Sequence, residues 1–314
     1  MDIFLHAITG VLTLILISGI GCVLAAKGWF NQENKAVLPR IVNSVALPPF
    51  LFYSLVHAFN RDDLYHLIYG AVVPFLSMVI CFALSILIGK VFAVDMRHRG
   101  IFHASFTTSN SIFIGVPVTL ALFGEQALPY TLLYFFANTT FFWTVGNYAL
   151  SSDGGGAARV PVFSVSTLKR IFGGPMQGFI AAILCIILGI RLPDFAMEAA
   201  HYLGDMTTPL ALIFVGITLY GMNLRKVHLN ADLLWVLMGR FVISPVSIYL
   251  LAQLMPIPDL MFRVFIIMAS LPAMVQIVVL SSFYESDVDY AVLVVSVTTI
   301  LSVITIPLYM VLLG

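Results

Sequence analysis

The sequence has little charge. Only 10% of its 314 residues are charged, 15 basic residues balance 15 acidic ones, and 61% are hydrophobic, with a mean hydropathy of +1.03. A soluble domain of this length could not cover so much apolar surface. The even charge balance gives no indication of nucleic acid as a partner. The composition therefore predicts an all-α integral membrane protein whose constant partner is the lipid bilayer.

Cysteine and the sequence signatures of common enzymes are also scarce. Cys22, Cys81 and Cys185 lie in apolar runs at unrelated spacings, which excludes a disulfide framework or a cysteine metal site. The chain contains neither HExxH nor GxSG. Gly204-Asp205 matches half of the GxGD pattern of intramembrane aspartyl proteases, but that chemistry needs a second intramembrane aspartate. We predict a protein that is not an enzyme and has no metal or cofactor.

Long apolar runs dominate what is present, and each has about the 20 residues that cross a bilayer. A Gly- and Ser-rich linker at 151–170 separates two halves, 1–150 and 171–314, with about five runs each. The predicted spans are 4–26, 36–57, 67–93, 99–122, 127–150, 171–192, 196–222, 231–256, 260–283 and 288–312.

The positions of the basic residues predict an orientation. When alternate loops are assigned to opposite sides, one side receives Arg61, Arg191 and Arg263. The other side receives Lys27, Lys35, Arg40, Lys90, Arg97, Arg99, Arg159, Lys169, Arg170, Arg225 and Lys226. The positive-inside rule then predicts a multi-pass protein of the plasma membrane (the inner membrane of a bacterial cell), with both termini extracytoplasmic and the linker cytoplasmic.

The two halves resemble each other. The segment 43–52 aligns with 205–214, GVP at 115–117 with SLP at 270–272, and NTT at 138–140 with VTT at 297–299. The matches occur in the same order at similar offsets. Since five is odd, two consecutive five-helix units must have opposite orientations, which is the inverted repeat of many secondary transporters.

Two of these matches contain helix breakers. Pro117 and Pro272 each remove a backbone donor and disfavour the α region for the preceding residue, and Gly115 adds backbone freedom. We expect the helices to be interrupted at 115–117 and at 272, and the interruptions to meet near the bilayer midplane. Freed carbonyls and helix N-termini could bind an ion or an anionic group there. A simple proline kink is the alternative for either proline.

Polar side chains cluster around the expected breaks and are the candidate substrate-binding residues. Each hydroxyl could instead bond to its own helix backbone, whereas a buried amide needs a partner. Together with Gly115, Pro117 and Pro272, the candidates are Ser109, Asn110, Ser111, Asn138, Thr139, Gln276 and Thr298.

Two ionisable residues fall inside predicted spans. Asp205 is a candidate proton or cation carrier, and Arg240 is a candidate countercharge for an anion. The alternative for each is a position near a membrane surface, where the side chain reaches water.

Three segments together are similar to the auxin efflux carrier family, the bacterial and archaeal relatives of the plant PIN transporters. They are NSIFIGVPVTLALFGE, TTPLALIFVGITLYG and the closing MASLPAMVQIVVLSSFYESDVDYAVLVVSVTTILSVITIP. The resemblance extends over essentially the whole chain. The Asn before the Gly-x-Pro element and the Pro followed by a polar residue in the ninth span are its most distinctive features.

The resemblance implies a ten-helix fold of two inverted five-helix repeats, like that of the sodium/proton antiporters and bile acid symporters. Spans four and nine would cross at their broken prolines. Spans 3–5 and 8–10 would form the transport domain, and spans 1, 2, 6 and 7 the scaffold and a homodimer interface. It implies elevator-type transport of a small organic anion such as a carboxylate. A sodium-coupled organic anion symporter of the bile acid type is the alternative.

Overall fold

The computed structural model describes residues 2–30, 34, 37–61, 63–153, 173–221 and 230–313. All regular secondary structure in these residues is helical, which confirms the all-α prediction. Residues 154–170 of the predicted linker, with Arg159, Lys169 and Arg170, lie outside the described residues, as do Arg225 and Lys226.

The helices agree closely with the predicted apolar runs, although several runs are divided into shorter pieces. They are α1 Asp2–Ala26, α2 Val37–Ile41, α3 Leu47–Ala58, α4 Asp63–Val91, α5 Arg99–Thr107, α6 Val116–Phe123, α7 Leu128–Phe141, α8 Asn147–Ser151, α9 Gly174–Leu188, α10 Asp194–Asp205, α11 Thr207–Tyr220, α12 Ala231–Met238, α13 Ser244–Leu254, α14 Asp259–Ala269, α15 Gln276–Phe283 and α16 Val288–Leu312.

Some of these helical runs are long and apolar enough to cross a membrane. Within the described ranges, five reach that length: Val37–Ala58, Tyr69–Val91, Asp194–Tyr220, Ala231–Leu254 and Val288–Leu312. Shorter apolar helices occupy Leu12–Ala26, Ser111–Phe123 and Gly174–Leu188. The chain is therefore a multi-pass membrane protein.

Three prolines each follow a π-helical turn. The turns Val42–Ala46, Ser111–Gly115 and Gly239–Ile243 each end two residues before a proline, namely Pro48, Pro117 and Pro245. A proline cannot bond to the carbonyl four residues back and its ring crowds that carbonyl, and a π turn shifts the local hydrogen bonding and widens the helix there. The expected interruption at Gly115-Val116-Pro117 is therefore wrong: the helix continues through it.

The described chain forms two compact units. The first unit consists of Met1–Tyr69, Ile112–Leu133 and Ile171–Met222, and the second of Gly70–Ser111, Tyr134–Arg170 and Asn223–Gly314. The first unit thus holds α1–α3, α6 and α9–α11, and the second holds α5, α8 and α12–α16 with most of α4.

Glycines allow close helix packing in the first unit. A Cβ at Gly216 would lie 1.8 Å from the Ser18 carbonyl oxygen, and one at Gly21 would lie 2.2 Å from the Ile213 carbonyl oxygen. Each glycine thus faces the backbone of the opposite helix, so α1 and α11 pack backbone to backbone. Such small-residue contacts replace the hydrophobic effect as the source of helix association in lipid.

The core of the second unit is aromatic. It is built around Phe102, Phe106 and Phe142, all with no exposed surface, and Leu233 and Ile277 belong to the same cluster. Because Phe102 and Phe106 lie on α5, this short helix is fixed along its length by packing. The candidate site begins where α5 ends.

Candidate functional site at two paired helix breaks

Two interruptions of helix lie in the second unit. The first break is residues 108–110, between the end of α5 at Thr107 and the π turn that begins at Ser111. The second break is residues 270–275, between the end of α14 at Ala269 and the start of α15 at Gln276. Pro272 lies inside the second break, as expected, whereas Pro117 lies beyond the first one.

The two breaks pair with each other. Ser109 and Ala273 form an isolated antiparallel bridge, and the N–H of Asn110 donates to the carbonyl of Pro272 at 2.9 Å. A backbone that leaves the helix inside a bilayer must find other hydrogen-bond partners, because no water is available there. Each break therefore provides part of the hydrogen bonding that the other has lost.

Asn138 of α7 completes the bonding of the first break. Its Oδ1 accepts from the N–H of Ser109 at 3.0 Å. Its Nδ2 donates to the carbonyl of Ser109 at 2.9 Å and to the hydroxyl of Ser111 at 3.1 Å. The amide thus acts as a peptide group would in a neighbouring strand and holds Ser109 extended. Asn138 is wholly buried, so both donors of its amide are committed to the protein.

Thr298 of α16 has the corresponding position at the second break. Its Oγ1 accepts from the N–H of Ala273 at 3.2 Å and donates to the carbonyls of Val294 at 2.8 Å and Val295 at 3.1 Å. The hydroxyl therefore connects the break to the backbone of α16. Ser109 and Ala273, which pair with each other, are each held by a polar side chain from a later helix.

Arg240 joins the C-terminal ends of both interrupted helices. Its guanidinium donates to the carbonyl of Thr107 at 2.9 Å, to that of Ala269 at 2.7 Å, and to that of Leu271 at 3.1 and 2.9 Å. The side chain has no exposed surface. A cation at a helix C-terminus offsets the negative end of the helix dipole and satisfies carbonyls that have no intrahelical donor. Here one guanidinium does so for two helices.

Gly239 explains how Arg240 reaches this position. A Cβ on Gly239 would lie 2.4 Å from the ring of Phe106, so only glycine permits the π turn Gly239–Ile243 to approach α5 so closely. The hydroxyl of Tyr134 also lies near Arg240 and Ser109. Sequence reasoning missed Tyr134 and the capping role of Arg240. The adjacent glycine, followed by a proline after the π turn, is the local signal for a special position.

Several buried polar atoms at the breaks have no hydrogen-bond partner among the described residues. They are Ser109 Oγ, Asn110 Nδ2, Thr139 Oγ1 and Gln276 Oε1. Ser109 and Asn110 are 0% and 2% exposed. An unpaired buried polar group is costly, and such groups in a native protein commonly await a ligand or water.

The structure brings together most, but not all, of the predicted site. Ser109, Asn110, Ser111, Asn138, Thr139, Pro272, Gln276, Thr298 and Arg240 belong to the second unit. Gly115, Pro117 and Asp205 belong to the first. Their roles in binding or coupling stay predictions.

Asp205 is not buried in the first unit. Its side chain is 62% exposed, and Oδ2 lies 3.6 Å from Nε2 of His201. It lines a cavity of about 430 Å³ together with His57, Tyr53 and Glu125. The ring of Tyr53 lies between the two histidine rings, with centroids 4.0 Å from His57 and 4.5 Å from His201.

Comparison with known proteins places the chain among transporters. The profile of the family described as "Membrane transport protein" matches residues 6–310. A Methanothermobacter thermautotrophicus protein named "Uncharacterized transporter" is 28% identical, with 99% of this chain and 100% of that protein covered. A Methanocaldococcus jannaschii protein also named as an uncharacterized transporter is 24% identical, with 95% and 96% covered.

A third relative carries a substrate in its name. The Rhizobium meliloti protein named "Putative malonate transporter" is 24% identical over 90% of this chain and 85% of that protein. The family match extends over nearly the whole sequence and confirms the resemblance seen in its motifs. The chain belongs to the membrane transport protein family.

Proposed function

We propose that the protein is a secondary active transporter that carries a small organic anion, such as a carboxylate, across the membrane. The observation that carries this proposal is the pair of unpartnered, buried donors at the first break, Ser109 Oγ and Asn110 Nδ2. Two neutral donors at almost fully buried positions suit a carboxylate, because charge-assisted hydrogen bonds are strong in a low dielectric.

The helix that follows the first break supports an anion at this position. Its first turn begins at Ser111, directly after Asn110. The N-terminus of a helix carries a partial positive charge and N–H groups without intrahelical acceptors, both of which favour a negative ligand. Arg240 adds a formal positive charge to the same region of the second unit while its N–H groups hold the carbonyls of the breaks.

A sodium-coupled organic anion symporter is the second candidate. The unpartnered Oε1 of Gln276 favours it, since sodium ions are held by oxygen ligands. Against it, the carbonyls of Thr107, Ala269 and Leu271, which a cation at the breaks would use, already accept hydrogen bonds from Arg240. The guanidinium already supplies a positive charge to these carbonyls, so we favour anion transport coupled to protons or to the membrane potential.

We further propose elevator-type alternating access by two inverted repeats of five helices, 1–150 and 171–314. Spans 1, 2, 6 and 7 would be the scaffold, and spans 3–5 and 8–10 the moving transport domain. The two compact units support this division, with one exception: Ile112–Leu133, from the second half of span four to the start of span five, belongs to the unit that contains spans 1, 2, 6 and 7. The proposal also includes a homodimer in the plasma membrane (the inner membrane of a bacterial cell) with extracytoplasmic termini.

Uptake into proteoliposomes tests the anion. A series of mono- and dicarboxylates that starts with malonate should contain at least one substrate whose uptake saturates. Asn110→Asp is close in shape to the native residue but replaces the free donor with a second carboxylate oxygen, so uptake should fall by more than about tenfold. Uptake that requires sodium would support the symporter instead. A variant that transports every anion as the wild type does would contradict a role of Asn110 in the site.

Asp205 is tested by the pH dependence of the same uptake. If Asp205 carries the coupled proton, Asp205→Asn should transport without responding to an imposed pH gradient. His201→Gln, which alters the exposed neighbour of Asp205, is the matched control. An Asp205→Asn variant with an unchanged response to the gradient would remove Asp205 from the coupling path.

A further inference from the structure

The buried ring of His98 contacts two partly exposed aspartates at the other end of α5. Its Nε2 lies 3.0 Å from Oδ2 of Asp232, and its Nδ1 lies 3.0 Å from Oδ2 of Asp287. The ring is 7% exposed and is stacked on Tyr290 with centroids 3.7 Å apart. All four residues belong to the second unit. The topology predicted from the basic residues places this end of the unit on the cytoplasmic side.

The geometry determines where the protons are. A neutral imidazole has one N–H, so its other nitrogen would turn a lone pair toward a carboxylate. Both aspartates occupy helix N-termini, which favour the charged carboxylate: Oδ1 of Asp287 accepts from the N–H of Tyr290 at 3.0 Å, and Asp232 lies in the first turn of α12. Both contacts are hydrogen bonds to a carboxylate only when the ring carries two N–H donors.

We infer that protonated His98 is a pH-sensitive latch that ties the start of α5 to the N-termini of α12 and α16. Losing the proton removes one of the two charge-assisted hydrogen bonds and leaves a lone pair facing a carboxylate. The latch is therefore closed while the ring carries both protons and opens when the ring loses one of them.

Helix α5 connects the latch to the candidate site. This helix has nine residues, from Arg99 directly after His98 to Thr107, whose carbonyl binds Arg240. It is a rigid element of roughly 13 Å that connects the latch to the first break. His98 is thus a positioning residue, and the inference holds whatever the protein transports.

Four other charged residues lie near His98 and its two aspartates and could also affect the pH dependence of the latch. The N–H of Asp95 lies 3.4 Å from Oδ2 of Asp232, and a hydrogen-bonded ion pair with Arg97 lowers the pKa of Asp95 to about 2. Asp153 accepts from the N–H groups of Gly100 at 2.7 Å and Ile101 at 2.9 Å. Arg99 is directed to the carbonyl of Val94.

The pH dependence caused by Asp153 has to be distinguished from that caused by His98. Burial raises the pKa of Asp153 to about 6, so this carboxyl group changes charge in the pH range of interest. Its hydrogen bonds among the described residues are to the N-terminus of α5 and not to α12 or α16. The N-termini of α12 and α16 are therefore the places to detect the latch, and Asp153→Asn should keep their response with at most a shifted midpoint, because the charges of Asp153 and His98 interact.

Amide hydrogen exchange of the full-length protein in nanodiscs from about pH 5 to pH 8 tests the latch. After correction for intrinsic rates, exchange at the first turns of α12 and α16 should rise by about tenfold with pH, the factor for losing one charge-assisted hydrogen bond. His98→Gln should abolish this dependence. His201→Gln, a matched change at an exposed histidine of the first unit, should retain it.

A second variant keeps the test decisive if His98→Gln does not fold. Asp287→Asn leaves the ring with one carboxylate partner, so the latch should open at a lower pH than in the wild type. A His98→Gln profile equal to that of the wild type, or an Asp287→Asn midpoint that does not move, would overturn the inference.

Discussion

The two breaks share a backbone arrangement and differ in the chemistry they present. In each, a helix ends in a carbonyl bound by Arg240, and an extended residue is held by a polar side chain from a later helix. The first break offers free donors at Ser109 and Asn110, whereas the helix after the second begins with a free acceptor at Gln276. The duplicated arrangement stabilises both breaks, and the difference between them is our reason for proposing that an anion binds at the first break.

The two side chains that bind the extended residues, Asn138 and Thr298, also differ in the number of hydrogen bonds they make to the breaks. Asn138 makes three hydrogen bonds with the first break and the residue after it, while Thr298 accepts one from the second. Since the first break contains no proline, its extended backbone depends on Asn138. The second break contains Pro272, whose fixed φ also helps to keep the backbone out of the helical conformation. Substitution of Arg240 therefore tests what the two breaks share, and substitutions of Asn138 and Thr298 test how they differ.

The largest effect is expected at Arg240, which serves both breaks. Arg240→Met keeps the apolar stem but leaves three buried carbonyls without their donors, so we expect a loss of about 3 kcal/mol or more in stability. Arg240→Lys should recover only part of this, because a single ammonium cannot span two helix ends. Thermal unfolding in detergent measures both. A Met variant as stable as the wild type would show that the breaks are held by other contacts.

The next largest effect is expected at Asn138. Asn138→Ala removes the bonds to Ser109 and Ser111 and should cost about 2 kcal/mol or more. Thr139→Ala is the matched control, because the neighbouring hydroxyl has no hydrogen-bond partner among the described residues. If the two variants unfold at the same temperature, the extended backbone of the first break does not depend on Asn138.

A smaller effect is expected at Thr298. Thr298→Val removes only the acceptor for the N–H of Ala273 and a bond to its own helix, so the cost should be about 1 kcal/mol. Thr299→Val is its control, since the hydroxyl of Thr299 donates to Val295 of the same helix at 2.7 Å. A Thr298→Val variant less stable than Asn138→Ala would show that Thr298 contributes more to stability than Asn138, against the expected order.

Much of the fold could be predicted from the sequence because apolar length and charge placement are strong signals in membrane proteins. The helices fall within a few residues of the predicted runs. The position of the first break could not be predicted in this way. Gly115 and Pro117 are local helix breakers, but a π turn accommodates the proline, and the chain opens instead at 108–110, where Asn138 and Ala273 supply partners from distant segments.

The candidate site was predictable in its residue types more than in its contacts. The buried amides and Arg240 stand out because polar groups are rare in apolar runs. Their partners do not follow from the sequence. The guanidinium contacts carbonyls rather than a carboxylate, and the two aspartates around His98 come from positions 134 and 189 residues further along the chain. Such partners depend on tertiary packing, which periodicity does not encode.

Anion binding by Asn110→Asp is the most direct test of the account. The melting temperature of the purified wild type should rise with increasing concentration of the transported carboxylate, which gives its dissociation constant. Asn110 is 2% exposed, so Asn110→Asp buries a carboxyl group and the variant should melt below the wild type even without ligand. Its dissociation constant should rise by about tenfold or more. Equal dissociation constants for the two proteins would contradict the assignment of the anion to the first break.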